Sequence, residues 1–274
     1  MDLLRRVNAI IHTAVSTVIM PSFRALRPED IYSKDTPGDP ADLVTVVDHA
    51  AERYLIAALS DVVPGAAFVG EEAVCENPAL LDALAGSAPA WLIDPIDGTK
   101  NFAHGHPDFG VMIALVERGQ TRASWMAVPA AQPSGYTVVA ELNRGTSVNG
   151  ARAERAREMP WAPRGTIHSR MMPAETARRV IDALEGKFEP RASTGSAATE
   201  YAAIIRGEKD FVIYYRLLPW DHAPGALAIT EAGGAAIHLD GAPYSALSPN
   251  QVTIFAASPE LAETIRRWIT VTGG

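Results

Sequence analysis

The fold of this chain turns on Trp91–Gly105, WLIDPIDGTKNFAHG. Trp91, Leu92 and Ile93 run without a polar break into Asp94, the pattern of a short buried strand with an acid at its carboxyl end. Pro95 and Ile96 follow, then a second acid, Asp97, and the pair Gly98–Thr99. The Asp-Gly-Thr turn opens a short helix at Lys100–Asn101, where exposed backbone N–H groups suit a phosphate. Two carboxylates placed this close at the exit of a buried strand repel one another unless something positive lies between them.

Upstream, AAFVGEE (Ala66–Glu72) reads as another short buried strand, ending at Gly70 with Glu71 and Glu72 just beyond. Earlier still, Thr45 and Asp48 form a Thr-x-x-Asp capping box ahead of helically spaced apolar residues, which puts Asp48 in a first helical turn. Pro64–Gly65 closes that helix, and Tyr32–Pro40 is a polar loop. Leu3, Leu4, Val7, Ile10, Ile11, Ala14, Val15 and Val18 give an amphipathic first helix. Asn8, His12, Thr13, Ser16 and Thr17 interrupt it too often for a secretory leader. Downstream, Phe109–Val116, Ala123–Pro129 and Gly135–Glu141 read as successive strands, and Asn149–Gly150 as a hairpin turn. That run requires a mixed or antiparallel sheet.

A second half begins near Pro160–Arg164. Its expected elements are strands at Gly165–Ser169, Phe211–Arg216, Ala235–Leu239 and Val252–Ala256. Helices are expected at Pro173–Leu184, Ser196–Arg206, Trp220–Ala232 (stopped by Gly233–Gly234) and Pro259–Trp268. The fold class is α+β. Residues 1–150 form an N-terminal half carrying most candidate metal ligands, and residues 151–274 form a C-terminal half contributing Asp221 and substrate-lining residues, in one compact unit.

The chain has 274 residues, 24 basic and 32 acidic, for a net charge of −8, which argues against a nucleic-acid surface. The single cysteine, Cys75, permits no disulfide framework and fits a reducing cytoplasm. No segment reaches the ~18 uninterrupted apolar residues of a membrane span.

Glu71, Asp94 and Asp97 stand at strand ends, and Asp221 stands in the first turn of a helix after LLPW. If these ends converge, four carboxylates share one small volume, and divalent metal is the simplest remedy. An all-oxygen set selects Mg2+ first, then Mn2+ or Ca2+. Metal beside an amide turn makes a phosphate-ester site, with metal-activated water attacking phosphorus and a second ion stabilising the leaving alkoxide. Phosphatases that form an aspartyl-phosphate use Asp-x-Asp-Gly-Thr, but the position two before Asp97 is Pro95, so direct attack by water is favoured.

Three blocks, VGEE (Val69–Glu72), WLIDPIDGTKNF (Trp91–Phe102) and PWDHAPGALAITEAGG (Pro219–Gly234), resemble the inositol monophosphatase family of metal-dependent, lithium-sensitive phosphatases. DLVTVVDHAAE (Asp42–Glu52) and TGSAA (Thr194–Ala198) support the resemblance over nearly the whole chain. It implies a layered α-β-α-β-α sandwich, a homodimer, a small-molecule phosphate ester as substrate and two to three Mg2+ ions. Glu71, Asp94 and the carbonyl of Ile96 would hold one ion, Asp94, Asp97 and Asp221 a second, and a third would lean on Glu71. Thr99, with Asp48 behind it, would orient and help deprotonate the water. Gly98 and Thr99 N–H groups would hold phosphate oxygens, and Gly195, Ser196 and Ala197 would line the organic part.

Two departures from the family pattern stand out. Tyr214 occupies the position of the glutamate that grips sugar hydroxyls in members preferring inositol, with Arg216 nearby as a candidate for a second anionic group. The loop before Asp42–Glu52 is longer, and Lys34 is only loosely equivalent to that loop's lysine. Histidinol phosphate, fructose 1,6-bisphosphate and 3′-phosphoadenosine nucleotides are alternative substrates, and a metal- or phosphate-binding regulatory protein is the non-enzyme alternative.

Plainer readings stand beside these. Asp48 could serve only as the capping acid, and Thr99 only as a turn residue. Glu72 is a surface or supporting acid, His104 and His106 are loop histidines, and His222 is a helix-start filler. Met171, Met172 and Trp125 are packing residues, and ARAERAR (Ala151–Arg157) is a solvated face.

Overall fold

Odd and even positions of the central strands meet different neighbours, and this alternation sets the layers. The computed structural model describes residues 2–34, 42–153 and 161–271. Residues 35–40 of the expected loop and residues 154–157 of the expected solvated face lie outside that set. After helix α1 (Leu3–Ala14), a short antiparallel pair, β1 (Ile31–Ser33) and β2 (Leu43–Thr45), leads into α2 (Val46–Leu59). A seven-stranded sheet then pairs in chain order: β3 (Ala67–Gly70), β4 (Ala90–Asp97), β5 (Gly110–Glu117), β6 (Gln120–Val128), β7 (Tyr136–Glu141), β8 (Gly145–Val148) and β9 (Ala151–Arg152). Only β3 and β4 are parallel; the other pairs are antiparallel. The short helices α3 (Glu71–Glu76) and α4 (Thr99–Ala103) follow β3 and β4.

The second sheet has the order β11-β10-β12-β14-β13, from β10 (Arg164–Ile167), β11 (Glu189–Pro190), β12 (Phe211–Tyr214), β13 (Ala235–His238) and β14 (Thr253–Ala256). Its helices are α5 (Ala174–Leu184), α6 (Ala197–Arg206), α7 (Pro219–Glu231) and α8 (Pro259–Val271). Trp91, Ile93, Ile113, Leu115 and Trp125 pack against Val7, Ile11, Leu55 and Leu59 of α1 and α2. From the other face of the same sheet, Met112 and Met126 join Tyr201, Ile204, Leu227 and Ile229 of α6 and α7, with Val212 and Phe255 closing from the second sheet. Phe211, Ile213 and Ile254 point the opposite way, onto Val180, Leu184, Leu261 and Ile265 of α5 and α8. The order of layers is therefore α-β-α-β-α.

Several expected boundaries move. The strand expected to stop at Ile93 continues through Asp97. Glu71 and Glu72, expected just past a strand, open α3, and strands β8 and β11 had no clear signal. Asn149 and Gly150 form the β8–β9 turn with φ of 50° and 81°, the left-handed values such a turn demands.

The register of β4 positions the site. Asp94 pairs with Met112 and Asp97 with Gly110, so three steps along β4 match two along β5. Pro95 has no N–H for the ladder, and the chain bulges there. In a regular strand, residues three apart face opposite sides; the extra residue brings Asp94 and Asp97 onto the same side.

Candidate active site

Glu71, Asp94, Ile96, Asp97, Gly98, Thr99 and Asp221 line one cavity of about 560 Å3, together with Gly195, Ala197, Tyr214 and Arg216. Each acid arrives there by a distinct local device. Glu71 is the first residue of α3, whose N-terminal amides at Glu72 and Ala73 donate to the Glu52 carboxylate of α2, both at 3.0 Å. Gly70 permits this, because a methyl group there would overlap that carboxylate. Asp94 Oδ1 accepts the N–H of Ile96 (3.1 Å) across the bulge. Asp97 is held by the start of α6: Ser196 Oγ and Ala198 N donate to Oδ2, and Ala197 N donates to Oδ1. Gly110, opposite Asp97, leaves room for Ala198 to approach. Asp221 sits in the first turn of α7.

Thr99 follows Gly98, which takes a left-handed φ of 81° and would otherwise collide with Ser196 and the carbonyls of Asp108 and Gly195. Thr99 Oγ1 lies 3.1 Å from Asp48 Oδ1 and 2.9 Å from the Ile96 carbonyl. The other oxygen of Asp48 accepts Thr45 N–H and Thr45 Oγ1, closing the capping box. Burial pushes the Asp48 carboxyl up to about 6, against the Thr45 hydrogen bonds that lower it. Asp97 also rises to about 6 by burial, opposed by Ser196, Ala198 and Ala197. Burial raises Asp94 and Asp221 well above the carboxylate range, reinforced by Glu71 and by their neighbouring aspartates.

Lys34 answers part of this negative charge. Its Nζ lies 2.7 Å from both Glu71 Oε1 and Glu72 Oε1, and those charges raise its pKa against the opposing effect of burial. Among the described residues no three His, Cys, Asp or Glu side chains are grouped so as to hold a metal ion as placed. The donor chemistry nonetheless fits a hard divalent ion: all-oxygen ligands, with Asp94 and Asp221 raised by burial and by their acidic neighbours, and with Lys34 as the only cation salt-bridged to them among the described residues.

The cavity brings together every expected site residue except Asp48, which lies buried behind Thr99, and Ser196. Expected to line the substrate's organic part, Ser196 is instead buried with its hydroxyl committed to Asp97, because it caps α6 from inside. Met171, read as packing, lines the cavity, while Met172 joins the core. Cys75 is exposed on α3. His222 is structural: the Arg216 carbonyl can only accept, so Nε2 carries the proton (2.8 Å), leaving Nδ1 to accept from Tyr201 Oη. Sequence reasoning missed Glu52, the Lys34–Glu72 contact, and Asn101, whose amide bridges the carbonyls of Asp108 (2.6 Å) and Thr194 (2.7 Å). It also missed the buried Glu200–Lys209 pair that anchors the turn before α6: Glu200 accepts Thr194 N–H, and Lys209 donates to the Ala192 carbonyl. An acid at a core-facing position of α2, beside Leu55 and Leu59, was the available signal for Glu52.

The family model of the inositol monophosphatase family matches residues 3–269. The chain belongs to the inositol monophosphatase family. Its members hydrolyse phosphate monoesters, and this chain is a phosphoric monoester hydrolase of that kind. It is 30% identical over 242 residues to inositol-1-monophosphatase of Bacillus subtilis, covering 84% of each chain. It is 30% identical over 209 residues to the fructose-1,6-bisphosphatase/inositol-1-monophosphatase of Thermotoga maritima, covering 76% of each. The extragenic suppressor protein SuhB of Bartonella henselae shares the fold, with a TM-score of 0.78 at 24% identity, over 96% of this chain and 98% of that one. As an inositol monophosphatase family member, the chain carries the layered sandwich expected of it, and no described helix is long and apolar enough to cross a membrane.

Proposed function

We propose that this protein is a Mg2+-dependent phosphomonoesterase acting on a small sugar- or inositol-type phosphate. The observation that carries the reading is the convergence of Glu71, Asp94, Asp97 and Asp221 on one cavity that also contains the Gly98–Thr99 turn. Glu71, Asp94 and the Ile96 carbonyl would hold one Mg2+, Asp94, Asp97 and Asp221 a second, and Glu71 a weaker third, with Mn2+ able to substitute. When bound, such ions neutralise phosphoryl charge, acidify water and stabilise a leaving alkoxide.

The chain's own groups do the rest. Gly98 and Thr99 N–H groups hold phosphoryl oxygens. Thr99 Oγ1 orients the attacking water and accepts its proton while passing its own to Asp48 Oδ1, 3.1 Å away. A carboxyl near 6 is ionised at neutral pH yet basic enough for that relay. Ser196 keeps Asp97 aimed, and Gly195 and Ala197 line the organic part. The two halves, 1–150 and 151–274, work as one unit because Asp97 from the first is gripped by α6 from the second. A cytoplasmic homodimer completes the reading.

Fructose 1,6-bisphosphate is the second substrate reading, favoured by the Thermotoga relative whose name joins both activities. Phosphate release from a panel of sugar, inositol, histidinol and nucleotide monoesters, with and without Mg2+, is the test. Magnesium binding without release from any ester would instead support a regulatory binding protein.

A further inference from the structure

The stretches 167–171 and 214–216 supply cavity lining that contains no carboxylate. Here the His168 ring lies parallel to Tyr214, with centroids 4.2 Å apart and planes within 10°. Tyr214 is backed in turn by His222 and Phe255. The peptide unit that follows Arg216 is clamped at both its oxygen and its nitrogen. His222 Nε2 donates to the Arg216 carbonyl at 2.8 Å, and Leu217 N–H donates to Asn250 Oδ1 at 2.8 Å.

The Arg216 side chain itself is half-buried, and its guanidinium makes no hydrogen bond or ion pair with any described residue. Asp221, five residues on, feels its charge but is not paired with it. A half-buried guanidinium that faces a cavity with no partner among the described residues is available to an anionic ligand. Guanidinium offers donors only, in a planar fork that matches an oxyanion. Arg216 shares this wall with Ser169, Arg170, the Tyr214 phenol and His168, whose pKa burial lowers to about 4 so that the ring is neutral at physiological pH. Hydroxyls and a neutral imidazole can serve a polyol, whereas a guanidinium adds charge-assisted recognition of an oxyanion. The cavity, about 560 Å3, has room beyond a single phosphoryl group.

We propose that Arg216 binds a second anionic group of the substrate, so that preferred esters carry a phosphate or carboxylate on their alcohol part in addition to the phosphoryl group that is cleaved. This rests on the phosphomonoesterase reading and narrows its substrate class.

The test uses pairs that share the scissile bond and differ in the second anion. They are fructose 1,6-bisphosphate against fructose 1-phosphate, adenosine 3′,5′-bisphosphate against adenosine 3′-monophosphate, and 2-phosphoglycerate against glycerol 2-phosphate. The last pair separates a carboxylate from the phosphates. In at least one pair the wild type should favour the doubly anionic member by about 10–100-fold in kcat/KM, the worth of one charge-assisted contact. Arg216→Ala should bring that ratio close to one, and Arg216→Lys should restore only part of it. A wild-type ratio at or below one in all three pairs, or a ratio that Arg216→Ala leaves intact, overturns the proposal. If no ester releases phosphate, the phosphomonoesterase reading has failed separately. Calorimetric titration of fructose 1,6-bisphosphate and fructose 1-phosphate then decides the role of Arg216: tighter bisphosphate binding that is lost in Arg216→Ala supports it, and equal binding by both proteins overturns it. Matching thermal melts show that the variant folds.

Discussion

Asp94→Asn should stabilise the metal-free protein while abolishing most of its turnover. Asp94 is 2% exposed, and burial followed by Glu71, Asp97 and Asp221 pushes its pKa well above 3.8. A raised carboxyl pKa means that the folded protein keeps a proton the unfolded chain has released. The associated stability is intact below the unfolded pKa and is lost as pH rises from there towards the folded pKa. The loss accrues at about 1.4 kcal/mol per pH unit, so at about pH 7 its ceiling is (7 − 3.8) × 1.36, or roughly 4 kcal/mol. Asparagine does not titrate, and its carbonyl oxygen can still accept the Ile96 N–H. The variant should therefore melt with the wild type at about pH 4 and above it at about pH 7, by up to ~8 °C at roughly 2 °C per kcal/mol. Excess MgCl2 should raise the wild-type Tm, since a ligand that binds only the native state stabilises it, and should raise the variant's far less. Scanning calorimetry in chelator across this pH range, repeated with MgCl2, gives both readings. A variant no more stable than the wild type at neutral pH, or one that keeps the full magnesium shift, would refute the idea that crowded carboxylates await a cation.

Ser196→Ala removes the hydroxyl that aims Asp97 and leaves two backbone donors. A loss of about 1–2 kcal/mol in stability is expected, with kcat falling more than KM changes, as steady-state kinetics will show. Gly70→Ala forces the Glu52 carboxylate off the start of α3 and should lower stability by about 2–4 kcal/mol in denaturant melts, with turnover falling because Glu71 loses its anchor. Lys209→Met leaves Glu200, 0% exposed, as an uncompensated buried charge; about 3–5 kcal/mol should be lost, and the double change with Glu200→Leu should recover part of it.

Much of the architecture was legible because burial leaves a period in the chain. Alternate residues of Trp91–Ile93 and Val111–Leu115 are apolar on both faces, as a sheet covered twice requires, and the capping box at Thr45–Asp48 marked its helix from four residues. The acids of the site were legible too, since an unbroken apolar run that ends in Asp advertises a charge at a buried edge. By itself, then, the sequence determined the fold class, the strand-and-helix order around Asp94 and which acids to look for along the cavity.

Only the tertiary structure decided how those acids are held. The bulge that puts Asp94 and Asp97 on one side depends on pairing with β5, and the grip on Asp97 comes from Ser196–Ala198, about a hundred residues away. The reach of Glu52 past Gly70 and the seat of Lys34 between Glu71 and Glu72 are likewise contacts between distant segments, and the cavity that Arg216 shares with Asp94 and Asp97 forms only when those segments meet. Local periodicity reports which face a residue presents, and it carries no information on which distant group meets that face; that is settled only when the layers close.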